Sequence, residues 1–98
     1  MARQIIWTQR AQNERKEIFK YWNNNNGSNF YSKKLNELIK QSLSIICKYP
    51  YIGRATEINH VRIKVLKEYL IIYEITDNEI IVLSLWDGRR NPEDLDLF

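Results

Sequence analysis

Apolar residues recur along this chain first at a spacing of about 3.6 and then of about 2, a change from helical to strand periodicity. Arg3 to Trp7, "RQIIW", form a short strand candidate. Beyond it Ala11, Ile18, Phe19 and Trp22 share one helical face, with Arg10, Lys16 and Lys20 elsewhere and Glu14 and Arg15 interrupting the pattern. Thr8 is placed to cap this helix through its hydroxyl. "NNNNG", Asn23 to Gly27, is expected to end it, because both residue types tolerate left-handed backbone. Ser28 or Asn29 is placed to cap a second helix. Tyr31, Leu35, Leu38, Ile45 and Tyr49 recur on one face, and Ile39, Leu43 and Ile46 widen the stripe. That breadth predicts packing on a sheet and on the first helix at once. The helix stops near Tyr49, since the residue before Pro50 is pushed out of the helical region. "YPYIGRATE" then reads as a loop.

Three strand candidates follow: Val61 to Leu66, Tyr69 to Ile75 and Glu79 to Trp86. Lys67-Glu68 and Thr76-Asp77-Asn78 separate them, links short enough to permit only antiparallel hairpins. The order β-α-α-β-β-β predicts an α+β fold, a helical hairpin packed on one face of a small, mainly antiparallel sheet. Residues 1 to 98 are expected to form a single domain. In "VRIKV", alternation sets Val61, Ile63 and Val65 against Arg62 and Lys64. If the helices cover the apolar face, both cations stand on the open one. "EIIVLSLW" is apolar almost throughout, as a central strand should be, and it delivers Asp87-Gly88 as a turn followed at once by Arg89 and Arg90.

Composition is that of an ordinary globular protein, 44% hydrophobic and 28% charged. No apolar run approaches the roughly 20 residues that cross a bilayer, and "MARQIIWTQRAQ" lacks the apolar segment of a signal peptide. The lone Cys47 falls in a helical pattern, where it reads as a small buried residue of a protein kept in a reducing cytoplasm. Residues 1 to 48 carry nine Lys/Arg against three Asp/Glu, whereas residues 49 to 98 carry six against nine. The basic excess of the helical half is either a solvated face or a surface for a partner that is acidic or carries phosphate.

A metal-independent nuclease needs an acid, a base and cations around a charged transition state. Arg62, Lys64, Lys67, Arg89 and Arg90 supply candidate cations. His60, the one imidazole, precedes a strand and reads as a solvent-facing loop residue. Tyr69 and Tyr73 read as packing aromatics with wet hydroxyls. Asp87, Glu93, Asp94 and Asp96 match no metal spacing, and no glycine-rich phosphate loop is present, so no metal and no cofactor are expected.

The element order, "WTQRAQNERKEIFKYW" after the first strand, "YPYIGR" between helix and sheet, and "VRIKVLKEYLIIYEI" running on to "IIVLSLWDGRRNPEDL" together resemble the ParE/RelE superfamily of bacterial toxins. The resemblance covers nearly the whole chain. It implies the toxin of a type II toxin–antitoxin pair, of the plasmid-stabilisation type, inhibiting growth until a cognate antitoxin wraps it. RelE-like members cut messenger RNA on the ribosome, and ParE-like members poison DNA gyrase. Arg62 and Lys64 match the basic pair of the nuclease branch and Arg90 its turn arginine. The third-strand arginine of that branch falls at Leu70, and "NPEDLDLF" contains neither the Tyr nor the His expected as general acid. One missing cation of this kind costs about 3 kcal/mol of transition-state stabilisation, and a missing acid a further factor of roughly 100. The resemblance therefore implies ParE-like action on gyrase, with a ribosome-dependent nuclease or a member that binds antitoxin without toxicity as the alternatives. Arg62, Lys64, Lys67, Arg89 and Arg90 become the expected target-contacting or RNA-contacting residues. Lys33, Lys34, Leu38 and Lys40 become those that meet the antitoxin, and contact with DNA is expected only through the antitoxin complex.

Overall fold

The computed structural model describes residues 3–90 and Leu95. In chain order it contains β1 (Gln4–Trp7), α1 (Gln9–Asn26), α2 (Phe30–Lys48), a one-turn helix (Pro50–Ile52), β2 (Arg54–Ala55), β3 (Val61–Leu66), β4 (Tyr69–Ile75) and β5 (Glu79–Asp87). The strands form one sheet in the order β1-β5-β4-β3-β2. β1 runs parallel to β5, and the other pairings are antiparallel. Two helices on a mainly antiparallel sheet make the α+β fold expected from the sequence.

α1 begins where Thr8 accepts the Ala11 N–H at 3.1 Å. The same hydroxyl donates to Val82 O at 3.0 Å, which ties the helix start to β5. The helix does not end with the first asparagine. It runs through all four and stops at Gly27, whose φ of 67° is the left-handed cap conformation. Asparagine lowers helix propensity by only a few tenths of a kcal/mol, and left-handed backbone is needed only at the cap, where glycine adopts it without Cβ strain. α2 buries Leu35, Ile39, Leu43 and Ile46, while Ile45 and Tyr49 of the expected face stay 43% and 65% exposed. The true core stripe includes Ser32 and Ser42, which apolar periodicity leaves out. Ser32 lies where the two helices meet, its hydroxyl bonded to Phe19 O at 3.1 Å and to Asn23 Oδ1 at 2.6 Å.

The segment expected to be a loop, Tyr49 to Glu57, contains the one-turn helix and β2, which pairs Arg54 with Ile63 and Ala55 with Arg62. A two-residue strand is too short for any alternation to show. Its anchor is tertiary. The buried Tyr73 hydroxyl donates to Pro50 O at 2.7 Å and accepts the Gly53 N–H at 3.0 Å. A Cβ on Gly53 would stand 2.5 Å from that oxygen, so the backbone can approach only as glycine. This hydroxyl is therefore a dry structural bond, not the wet group expected.

The alternation of β3 is present with its faces reversed. Tyr69, Ile71, Tyr73 and Ile75 of β4 pack with Leu35, Ile39 and Leu43 of α2. Arg62 pairs with Tyr73 and Lys64 with Ile71, so both cations stand on the helix side of the sheet. Val61 and Ile63 join Ile72, Trp86, Leu83 and Leu95 in a second apolar cluster on the other side. The sheet thus buries apolar residues on both faces, and alternation within one strand does not reveal which face the helices take. β3 lies toward the sheet margin, where helix cover thins and long cationic side chains reach out past it. One extra residue enters β5 opposite Ile72 and Tyr73. Trp86 then falls on the open face and Asp87 opposite Tyr69 on the helix side.

Candidate functional site at the end of β5

The site is built on the last residues of β5. Gly88 N–H donates to Glu68 O at 2.8 Å and Arg90 N–H to Asp87 O at 3.0 Å, fixing the turn against the β3–β4 hairpin. Asp87 accepts the Arg89 N–H at 2.9 Å and grips its guanidinium with both oxygens, from Nε at 3.0 Å and Nη2 at 2.8 Å. This fork-on-fork pair holds the Asp87 carboxyl below the usual aspartate range and raises the proton affinity of Arg89 still further. Arg90 takes a different partner, its guanidinium lying 4.3 Å from the centroid of the Trp86 ring. The adjacent arginines are thus held apart, one by a carboxylate on the helix side and one by the indole of the open face.

A cleft of about 540 Å³ opens between α1 and this rim, lined by Glu14, Glu17, Ile18 and Tyr21 facing Tyr69, Asp87 and the two arginines. Glu14 accepts from Ser84 Oγ at 2.8 Å and from Leu85 N at 3.2 Å, locking α1 to β5 beneath the cleft. Trp22 Nε1 donates to the Tyr69 hydroxyl at 2.7 Å. Burial raises the Tyr69 pKa. Periodicity missed this wall of the site. Its signal in the sequence was the break in the apolar face of α1 at Glu14.

The other candidate cations do not gather here. Lys67 lies in the β3–β4 turn at a φ of 56°, near the rim through the Glu68–Gly88 bond. Lys64 stands opposite Ile71 on the helix side. Arg62 stands opposite Tyr73, about 13 Å along the sheet from the residue facing Asp87. It donates to Tyr51 O at 3.1 Å and Gly53 O at 2.8 Å, and stacks 4.9 Å from the centroid of the Tyr51 ring. Its charge is spent on holding the turn before β2. Leu70, where the nuclease branch carries an arginine, packs on the opposite face with Trp86. His60 is exposed, as expected, but Ile75 N–H bonds to its carbonyl, which sets it at the far end of β4, roughly 20 Å from Tyr69. The expected antitoxin residues Lys33, Lys34 and Lys40 are exposed on α2, and Leu38 is half-buried. At 100° per residue Lys33 and Lys40 share one flank, while Lys34 and Leu38 belong to the other with Ile45. Among the described residues no group of His, Cys, Asp and Glu is arranged to hold a metal. Glu93, Asp94, Asp96 and most of "NPEDLDLF" lie outside those residues.

Two helices on a five-stranded mixed sheet, with a charged and aromatic rim at the end of its central hairpin, define a small α+β domain. The chain belongs to the ParE toxin family: the family model described as ParE toxin of type II toxin-antitoxin system, parDE, matches residues 5–92. A chain of the solved chromosomal ParDE TA system from P. aeruginosa shares the fold, with a TM-score of 0.74 at 18% identity over 88% of this chain and 96% of that one. No curated protein matches the sequence.

Proposed function

We propose that this protein is a cytoplasmic toxin that arrests growth by binding DNA gyrase without chemistry of its own, and that a cognate antitoxin neutralises it. The observation that carries the choice of gyrase over messenger RNA is the scattering of the cations. Arg62 is committed to two backbone carbonyls, Leu70 leaves the third-strand position uncharged on the opposite face, and His60 stands at the far end of the sheet. A nuclease has to converge such groups on one phosphate. A binding toxin needs only a rigid surface, and the Asp87–Arg89 and Trp86–Arg90 pairs make one, with Lys67 beside it. Among the described residues no helix is long and apolar enough to cross a membrane.

Brief induction separates the two targets. Stalled DNA synthesis, a DNA-damage response and loss of supercoiling by purified gyrase are the expected results. Prompt cleavage of translated messages with supercoiling intact overturns the proposal in favour of the nuclease. The antitoxin half is tested with the product of the adjacent reading frame, which is expected to co-purify with the chain and restore growth.

A further inference from the structure

β3 and β4 are joined by Lys67 and Glu68 alone, a two-residue turn closed by the Leu66–Tyr69 pair. Lys67 has a φ of 56°, and Glu68 keeps a negative one. A hairpin turn with positive φ at its first central residue is ordinarily built on glycine, because a Cβ there crowds the neighbouring backbone. Lysine stands in that place. Among the described residues the one other non-glycine at positive φ is His60, a residue type that tolerates the conformation better.

Nothing within the molecule compensates for this strain. Among the described residues no hydrogen bond, ion pair or aromatic ring engages the exposed Lys67 side chain. The turn itself is held by backbone. Glu68 O accepts the Gly88 N–H at 2.8 Å, so close an approach that a Cβ on Gly88 would stand 3.0 Å from that oxygen. One residue further on, Tyr69 pairs with Asp87, whose carboxylate grips Arg89. The strained lysine is therefore fixed beside the turn that carries both arginines. Strain that brings the fold no contact in return is characteristic of a functional position.

We propose that Lys67 contacts the target of the toxin, and that the group it meets is a carboxylate on a protein surface. The inference rests on the proposed function only for the name of that target. Protein is favoured over nucleic acid by the acids around the turn. Glu68 follows Lys67 directly, Asp87 faces Tyr69, and Glu14 and Glu17 line the cleft below. DNA carries about one negative charge per 1.7 Å of its axis, so a phosphate backbone laid across Lys67 and Arg90 would meet those acids as well. A protein can set single carboxylates against the cations and its own bases against the acids between them.

The test compares Lys67→Gly, Lys67→Arg and Lys67→Glu in the full chain. Lys67→Gly relieves the turn and removes the charge. It should melt no lower than the parent, yet bind purified gyrase roughly fivefold or more weakly and arrest growth less on induction. Lys67→Arg keeps both charge and strain, and should retain more binding than Lys67→Gly. Lys67→Glu should bind weakest, and added salt should narrow the gap between the parent and Lys67→Gly. A Lys67→Gly chain that melts well below the parent makes the lysine structural and overturns the proposal. So does growth arrest by that variant as strong as the parent's at equal expression. Duplex DNA and single-stranded RNA are titrated with the same chains, and binding of either that Lys67→Gly weakens puts a phosphate where the proposal puts a carboxylate. If gyrase does not bind the parent chain, the proposed function fails, and the growth, melting and nucleic-acid results still decide the role of Lys67.

Discussion

The side chain with most control over the rim is Asp87, because it decides where Arg89 can point. Its folded pKa lies below the ordinary aspartate value of 3.8, chiefly through the Arg89 hydrogen bonds. The unfolded chain therefore binds its proton first, so the stability this pair supplies is present above pH 3.8 and is lost as pH falls through the folded value. Asp87→Asn should flatten that acid limb in denaturation curves collected between neutral and acidic pH. It should also weaken growth inhibition at neutral pH by freeing Arg89. Tyr73 tests a different kind of bond. Its hydroxyl satisfies a buried carbonyl and a buried amide at once, so Tyr73→Phe leaves both unpartnered and should cost about 1–3 kcal/mol in urea unfolding. Leu70→Arg places a new cation on the face away from Arg62 and Lys64. It should therefore yield no RNA cleavage on induction, and message cutting by this variant would restore the nuclease branch.

At the scale of elements, the caps of α1 were legible and faces were not, while Asn29 sits at the start of α2 without a side-chain capping bond. Thr8 and Gly27 carry their roles in their chemistry, a hydroxyl in reach of an orphan amide and a residue free to adopt positive φ. Thr8→Ala should accordingly lower stability by about 1 kcal/mol or more, since the hydroxyl also bonds to the Val82 carbonyl. Circular dichroism during thermal unfolding reads that loss. The β3 faces failed because "VRIKV" fixes which residues share a side and not which side the helices occupy. Only pairing with β4 settles it, and that strand is apolar on both sides. The face of α2 failed for a related reason. Ser32 and Ser42 count as polar in any periodicity, yet their small size is what puts them in the core. β2 gave no signal, being two residues long and held by a tyrosine 18 or more positions downstream in the chain.

At the scale of the whole molecule, the two distinctive surfaces lie on different elements. The rim is formed by the β5 turn against α1, whereas a basic groove runs between β1 and α2. The sequence made the arginine turn conspicuous, because two cations after an apolar strand stand out. It hid the groove, because Arg3 just before β1, Arg15 on α1 and Lys40 and Lys48 on α2 are far apart in the chain and converge only once α2 lies beside β1. This separation predicts that intoxication and neutralisation can be broken independently. Arg89→Ala with Arg90→Ala removes both rim cations from an exposed turn whose backbone bonds do not depend on them, so the melting temperature should fall only by the small contribution of the exposed Asp87–Arg89 pair. Growth inhibition should vanish while the antitoxin still co-purifies. Lys40→Glu with Lys48→Glu should do the opposite, keeping the growth arrest of the free toxin and loosening the antitoxin enough that co-expression no longer rescues the cells. Measuring growth on induction, melting temperature and antitoxin affinity for both double mutants gives two crossed outcomes. A rim mutant that remains fully toxic at normal expression removes Arg89 and Arg90 from the functional surface. A groove mutant that is still neutralised places the antitoxin's grip elsewhere.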